Sequence, residues 1–300
     1  MVISFGRCLI FDFYVLRQIS RISAFHYEEI MRLYFLWLIG GLFSLTACVQ
    51  GQQKAQDQIH FTVLTYNIHH CNPPSKPDTI DVEAIARVML EVQPDLVALQ
   101  EVDVHTERSG KELDQAEALA ALTNMYVYFK ESIPYQGGSY GLAILSKFPI
   151  LGSQGYDLPS LEGTNAEPRS LAMVTVELPN RQKLKFGCTH LDHSNAANNL
   201  LQAREITELY KDESLPLIIA GDFNAEPQSE TIAHLDQYFT RTCQDSCAGT
   251  IPVQKPAKAI DFILYKPDTL LQVTQHKVIQ ETYASDHLPV MASFVIGSVE

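Results

Sequence analysis

The chain has 300 residues, a formal net charge of −13 and six cysteines. That acidity leaves no broad basic patch for a long nucleic acid, but it does not exclude a small phosphorylated substrate, because a bound cation supplies local positive charge. Cys71, Cys188, Cys243 and Cys247 fall in the main domain, too few for a disulfide scaffold. Their spacing lacks the partners of a zinc site, although Cys243 and Cys247 are near enough in sequence to close a small loop.

Taken in order, the chain opens with a segment that does not read as folded domain. Residues 33–47 form an apolar run without a charge, and Met31 and Arg32 precede it. The run is short for a bilayer-spanning helix. A basic start, an apolar middle and small residues before the cut describe a secretory signal. Leu45-Thr46-Ala47-Cys48 resembles the lipobox of bacterial lipoproteins, and that resemblance implies cleavage before Cys48 and its acylation. The other reading is an uncleaved anchor helix over residues 33–49. Both put the catalytic part outside the cytosol, beside a membrane. Residues 1–30 fit an ordinary signal poorly, and Met31 is the natural start. The expected division is an extension and signal over 1–47, a lipidated cysteine and polar tether over 48–58, and one sizeable catalytic domain over 59–300.

Within that domain, His60–Ile68 reads as a strand leading to Asn67, His69 and His70. Ile80–Glu91 has helical spacing, with Asp78 or Thr79 as cap. Leu96–Gln100 is a buried strand that delivers Glu101 at its end. Gln115–Leu122 reads as a helix, Val127–Lys130 as a short strand, and Tyr140–Leu145 as another that Leu151–Leu158 should pair with. Ser170–Glu177 and Lys183–Cys188 alternate as a hairpin around Pro179-Asn180, after a loop presenting Arg169. Asn195–Tyr210 reads as a helix with Leu200, Leu201, Ile206 and Leu209 inward. Leu217–Ala220 is a buried strand ending at Asp222 and Asn224, which should share one side while Phe223 points away. Ser229 caps a short helix, and Thr240–Lys258 is irregular. Strands at Ile260–Tyr265, Leu270–Ile279 and Val290–Ile296 close the chain. No internal repeat and no glycine-rich phosphate loop is visible. Strands with few helices between them argue for mixed sheets, two of them packed together with helices outside.

Polar islands recur at the ends of apolar strands: Asn67, Glu101, Tyr140, Arg169, His190 with Asp192, Asp222 with Asn224, Asp261, and Asp286 with His287. Such recurrence is what a cavity built from many strand ends produces. The Asp, Glu and Asn oxygens suit Mg²⁺ or Mn²⁺, and imidazoles move protons near neutral pH. Asp103 and Arg108 are close enough in sequence to pair at the rim.

TYNIH at 65–69, LQEVD at 99–103, YGLAILS at 140–146, THLDH at 189–193, GDFN at 221–224, IDFIL at 260–264 and SDHLP at 285–289 resemble, in order, the motifs of the endonuclease/exonuclease/phosphatase superfamily. That group includes secreted deoxyribonucleases, abasic-site endonucleases, neutral sphingomyelinases and inositol-phosphate phosphatases. The resemblance covers residues 59–297. It implies a four-layer α/β sandwich, two packed mixed β-sheets flanked by helices, and hydrolysis of phosphate esters with a divalent metal. It also implies roles. Glu101 would be the principal metal ligand. Asn67 would hold the metal shell or the phosphate, with Asp286 helping. His287 would activate water, oriented by Asp261, or else Asp222 would take that activating role. Asn224 would position the attacking group or phosphate, and His190 would donate to a nonbridging oxygen. Arg169 and Tyr140 would touch phosphate, against the plainer readings of a salt bridge and ordinary packing. His69, His70 and His193 read as supporting or surface residues.

The resulting expectation is a monomeric, membrane-tethered phosphoesterase that uses Mg²⁺ or Mn²⁺ on a small or lipid-headgroup ester, with an extracytoplasmic nuclease as the alternative. A noncatalytic binding lipoprotein would be expected to have lost Glu101, Asp222 or His287, and all three are present. An oxidoreductase would need the dinucleotide-binding glycine pattern that is missing here.

Overall fold

The computed structural model describes residues 58–297, apart from 165, 245, 268 and 269. The expected signal and Cys48 lie outside the described residues. Among those described, no helix is long and apolar enough to cross a membrane.

The chain runs β1 (Ile59–Asn67), α1 (Val82–Val92), β2 (Leu96–Val104), α2 (Gln115–Thr123), β3 (Tyr126–Tyr135), β4 (Gly138–Ser146) and β5 (Ile150–Asp157). It continues through β6 (Ser170–Glu177), β7 (Lys183–His190), α3 (Ala196–Tyr210), β8 (Leu217–Asp222), α4 (Glu230–Leu235) and β9 (Thr240–Arg241). It closes with β10 (Asp261–Tyr265), β11 (Leu271–Val278) and β12 (Val290–Ile296). Two six-stranded sheets form, ordered β11-β12-β1-β2-β4-β3 and β5-β6-β7-β8-β10-β9. One core lies between them, with Phe61, Leu96 and Ile144 of the first sheet in the same cluster as Val174, Phe186 and Ile218 of the second. A second core joins α1 and α2 to the outer face of the first sheet, and a third joins α3 and α4 to the outer face of the second. This is the four-layer sandwich expected. Burial on both faces explains why the central strands are apolar runs rather than alternating ones.

Each sheet contains one parallel pair, β1 with β2 and β7 with β8, and one helix, α1 or α3, links each pair. The second sheet therefore repeats the central arrangement of the first, a repeat that does not show as sequence identity.

Several local expectations are corrected. The cap of α1 is Asp81, whose carboxylate takes the Ala84 N–H at 2.9 Å. Of the earlier candidates, Asp78 lies in a turn, and the Asn72 amide holds the Thr79 carbonyl at 2.7 Å. β5 does not pair with β4. It pairs with β6 in the other sheet, because both edges of β4 are taken by β2 and β3. β3 runs longer than expected and turns into β4 through Gln136 and Gly137, both at positive φ, as a tight hairpin turn requires. The inner face of α3 carries Asn198, Asn199 and Gln202 beside Ala203, Ile206 and Tyr210, whereas Leu209 is exposed and Leu200 and Leu201 are half-buried. The loop after β7 needs polar partners, and those amides supply them: Asn198 Nδ2 reaches Asp192 Oδ2 at 2.6 Å, Asn199 Nδ2 reaches the Asp192 carbonyl at 2.7 Å, and Gln202 Oε1 accepts the Asp192 N–H at 2.9 Å. Cys243 and Cys247 are joined as a disulfide.

Candidate active site

The carboxyl ends of the two parallel pairs face one another across the sandwich, the place where α/β sheets collect ligands. β1 ends in Asn67, β7 in His190 and β8 in Asp222. Glu101 reaches the site by a different route from the strand end expected. It lies within β2, where the register slips between Leu99 and Val102, and its φ is +61°. A bulge re-aims a side chain, and here it turns Glu101 toward Asn67.

Asn67 connects the sheets. Its Nδ2 donates to Glu101 Oε1 at 3.1 Å and to Asp222 Oδ2 at 3.2 Å. Its Oδ1 accepts the His69 N–H at 3.1 Å, so the amide hydrogens face the acids. Around the same Asp222 oxygen stand His190 Nε2 at 3.5 Å and His287 Nε2 at 3.8 Å. On its other side, His287 Nδ1 donates to Asp261 Oδ2 at 2.9 Å. Asp261 and Asp222 are direct register partners on β10 and β8. The Ser285 hydroxyl donates to the Asn67 carbonyl at 2.7 Å and accepts the His287 N–H at 3.3 Å, which pins the segment before β12 to the end of β1. The loop expected to be irregular supports that segment too, since the Thr250 carbonyl accepts the Leu288 N–H at 2.8 Å.

Phe223 is buried in the outer core, as the alternation expected. Asn224 is not extended: at φ +47° it folds back so that its N–H donates to Asp222 Oδ1 at 2.9 Å and its Nδ2 to the Leu191 carbonyl at 3.0 Å.

Arginine can only donate, so its contacts fix two tautomers. Arg169 reaches Nδ1 of His190 and Nδ1 of His193, each at 3.1 Å. Both rings therefore accept at Nδ1 and carry their proton on Nε2. Arg169 is also paired with Glu167 at 3.1 Å, and its guanidinium orients two histidines, while its buried Nε has no hydrogen-bond partner among the described residues. Tyr140 sits half-buried opposite Asp103 in the β2–β4 ladder, with the Arg108 guanidinium 5.5 Å from its ring. Burial, then the charge of Glu101, pushes its hydroxyl pKa up. Asp286 is half-buried and accepts from the Ser285 hydroxyl at 3.4 Å. Asp103 and Arg108 do pair, through bonds of 2.7 and 2.9 Å.

The electrostatics divide the titratable groups. Burial, and then the Asp261 charge, push Asp222 up to about 7 against the opposing pull of His287, the Asn224 N–H and Asn67. Burial alone would lower His287, but the charge and hydrogen bond of Asp261, with Asp222 and Asp286 behind them, hold it at about 10. Burial, followed by the neighbouring Arg169, His287 and His193, drives His190 well below its ordinary value, so it is neutral. Sequence reasoning passed over Ser285, which directly precedes Asp286, whereas His193, expected as a supporting or surface residue, is exposed and supports Arg169. Sequence reasoning also missed Asn199, whose buried position no apolar pattern signals.

A four-layer sandwich that gathers acids, amides and a His–Asp pair at its parallel strand ends defines a hydrolase of the phosphate-ester type. Residues 64–287 match the family model described as Endonuclease/Exonuclease/phosphatase family, and the chain belongs to that family. It is similar to an endonuclease/exonuclease/phosphatase from Beutenbergia cavernae DSM 12333, at 25% identity and a TM-score of 0.68, over 80% of this chain and 72% of that one. It shares its fold with a mannosyl-6-phosphatase from Bacteroides thetaiotaomicron VPI-5482, at 17% identity and a TM-score of 0.64, over 78% and 99% of the two chains. ANGEL2, described as a 2',3'-cyclic phosphatase, shares it at 15% identity and a TM-score of 0.63, over 80% and 96%.

Proposed function

We propose that the protein is a divalent-metal-dependent hydrolase of small phosphate esters, with Asp222 as the group that activates water. One observation carries this reading: a single Asp222 oxygen faces Asn67, His190 and His287 together. The phosphatases among the structural neighbours support the substrate class.

The residues fit a hard cation. Glu101 spends one oxygen on Asn67, and its other oxygen meets no donor among the described residues. The backbone that aims it there is strained, with φ at +61°, as backbone at functional sites often is. Glu101 would hold Mg²⁺ or Mn²⁺ through its second oxygen, with the Asp286 carboxylate as a further oxygen donor, whereas Asn67, whose Oδ1 accepts the His69 N–H and whose amide hydrogens face the acids, would orient Glu101 rather than ligate the cation. When bound, the cation polarises the phosphoryl group and stabilises the leaving oxygen. Asp222, Asp261 and His287 also offer ligand atoms within 4.8 Å of one another. Two of these three are already hydrogen-bonded to each other at 2.9 Å, so we assign that trio to proton handling.

The remaining residues divide the work. His287, held protonated by Asp261, presents Nε2–H toward the phosphoryl group and leaves Asp222 as the proton acceptor. His190 offers a neutral Nε2–H to a nonbridging oxygen, its orientation fixed by Arg169. Asn224 keeps Asp222 in place through its N–H. Donors fixed beforehand toward developing charge are the largest contribution enzymes make to such reactions.

Steady-state hydrolysis of aryl phosphate, bis-aryl phosphate and plasmid DNA, with Mg²⁺, Mn²⁺ or chelator, tests the assignment. Metal-dependent turnover that Asp222→Asn removes is the expected result. Turnover that persists in chelator, or in that variant, would sink it. The signal-like run and Cys48 support a further reading as an extracytoplasmic lipoprotein, which the mass of the mature N-terminus tests.

A further inference from the structure

Beside the reactive cluster, a groove of about 420 Å³ opens between the first turn of α3 and the loop after β8. Asn224 lines it and ties it to the cluster, its N–H joined to Asp222 by the 2.9 Å bond already described. His193 lines it as well, and because Nδ1 of that ring accepts from Arg169, its Nε2–H is left as a donor. Glu226 and Gln228 stand on the wall, both exposed. Asn199 completes the lining; it is 2% exposed, and its Oδ1 has no hydrogen-bond partner. Such an atom is costly to leave unpaired. Asp192 also borders the groove, but its oxygens are consumed by Ser194, Asn195 and Asn198.

No lysine or arginine is among the described residues that line this space. A further phosphate of a polynucleotide would meet Glu226 there with nothing to neutralise it. The wall instead offers donors and acceptors without a cation: an imidazole N–H, the three side-chain amides of Asn199, Asn224 and Gln228, and the Glu226 carboxylate. Hydroxyl groups are both donors and acceptors, and they match such a wall.

We propose that this groove binds the alcohol portion of the ester, a neutral, hydroxyl-rich group such as a sugar or polyol, and that Glu226, Gln228 and His193 set this preference. The proposal rests on the hydrolase reading above and names its substrate class. Sites that hydrogen-bond a substrate hydroxyl discriminate strongly against analogues lacking it.

The test uses the full chain with Mg²⁺ and three substrates: a hexose 6-phosphate, 4-nitrophenyl phosphate and a dinucleotide. The double variant Glu226→Ala, Gln228→Ala changes only exposed side chains and leaves the reactive cluster intact. It should lower kcat/KM on the hexose phosphate about tenfold or more, chiefly through KM, while 4-nitrophenyl phosphate turnover stays within about twofold of wild type. Equal losses on both esters, no loss on either, or a wild-type preference for the dinucleotide overturns the groove assignment and leaves the hydrolase reading standing. A wild type inert on every ester sinks the hydrolase reading instead. The groove is then judged by calorimetry with the free hexose: binding lost in the double variant supports it, and no binding to wild type overturns it.

Discussion

His287 Nδ1 and Asp261 Oδ2 meet at 2.9 Å although the strands next to them belong to different sheets. His287 lies just before β12 of the first, and Asp261 opens β10 of the second. The Asn67–Asp222 bond crosses the same boundary. No single sheet contains the reactive cluster, so its chemistry requires the central core to be packed. Asp261→Asn should cut kcat by about 10²–10⁴-fold, the range for loss of positioned proton transfer. Circular dichroism should show the fold retained, and Asp261→Ala should be no more active than Asp261→Asn.

The same pair sets an alkaline limit on stability. The pKa of His287 is raised from 6.5 to about 10, despite burial, mainly by the charge and hydrogen bond of Asp261. A group raised in the folded state binds more protons there than when unfolded. Its contribution is complete below 6.5 and fades as pH climbs toward about 10. Without added cation, wild-type Tm should fall across that window more steeply than the Tm of Asp261→Asn. Parallel curves for the two proteins would contradict the assignment.

Activity should decline on the acid side for a different reason. Asp222, pushed up to about 7 by burial and then by Asp261, must be ionised to accept a proton. The wild-type rate should therefore drop below neutrality, with an apparent value that belongs to the coupled Asp222–His287 pair. A cation at Glu101 favours the carboxylate form, so raising Mg²⁺ should move the acid limb downward. A limb that ignores Mg²⁺ would place the cation far from Asp222.

Glu101 exchanges stability for function. A non-glycine residue at φ +61° carries strain of about 1 kcal/mol or more, and the Glu101 carboxylate has Asn67 as its single donor among the described residues. Glu101→Gly should leave Tm unchanged or higher while activity falls by at least about 100-fold, the scale for loss of a group that stabilises transition-state charge. Glu101→Gln should keep the strain and lose the activity as well.

How legible this was in the sequence depends on whether the determining contact is local. Strand ends carrying Asn67 and Asp222 were readable because an apolar run stops at a polar residue, and His287 because a polar segment directly precedes the last apolar run. The bulge at Glu101 was not, since it arises from the β2–β4 pairing, which no local pattern encodes. The partner of β5 failed for the same reason: β4 has no free edge once β2 and β3 are in place. The inner face of α3 was misread because its amides serve the backbone of a distant loop, and a helical wheel counts them as solvent-facing. The two imidazole partners of Arg169, His190 and His193, were not legible because they lie on the far side of a hairpin.

Arg169 supplies the last expectation. It is 5% exposed, donates to two ring nitrogens and pairs with Glu167. Arg169→Met removes the lock on both tautomers and leaves Nδ1 of each ring without a donor. It should lower kcat by about 10-fold or more, through misoriented His190, and lower stability by about 2 kcal/mol. Arg169→Lys separates the two effects. A lysine keeps the charge beside Glu167 but cannot span two nitrogens with a planar fork, so Tm should recover more than kcat does. Equal recovery of both would mean that Arg169 acts by its charge alone, and the ring orientation drawn from its two bonds would be wrong.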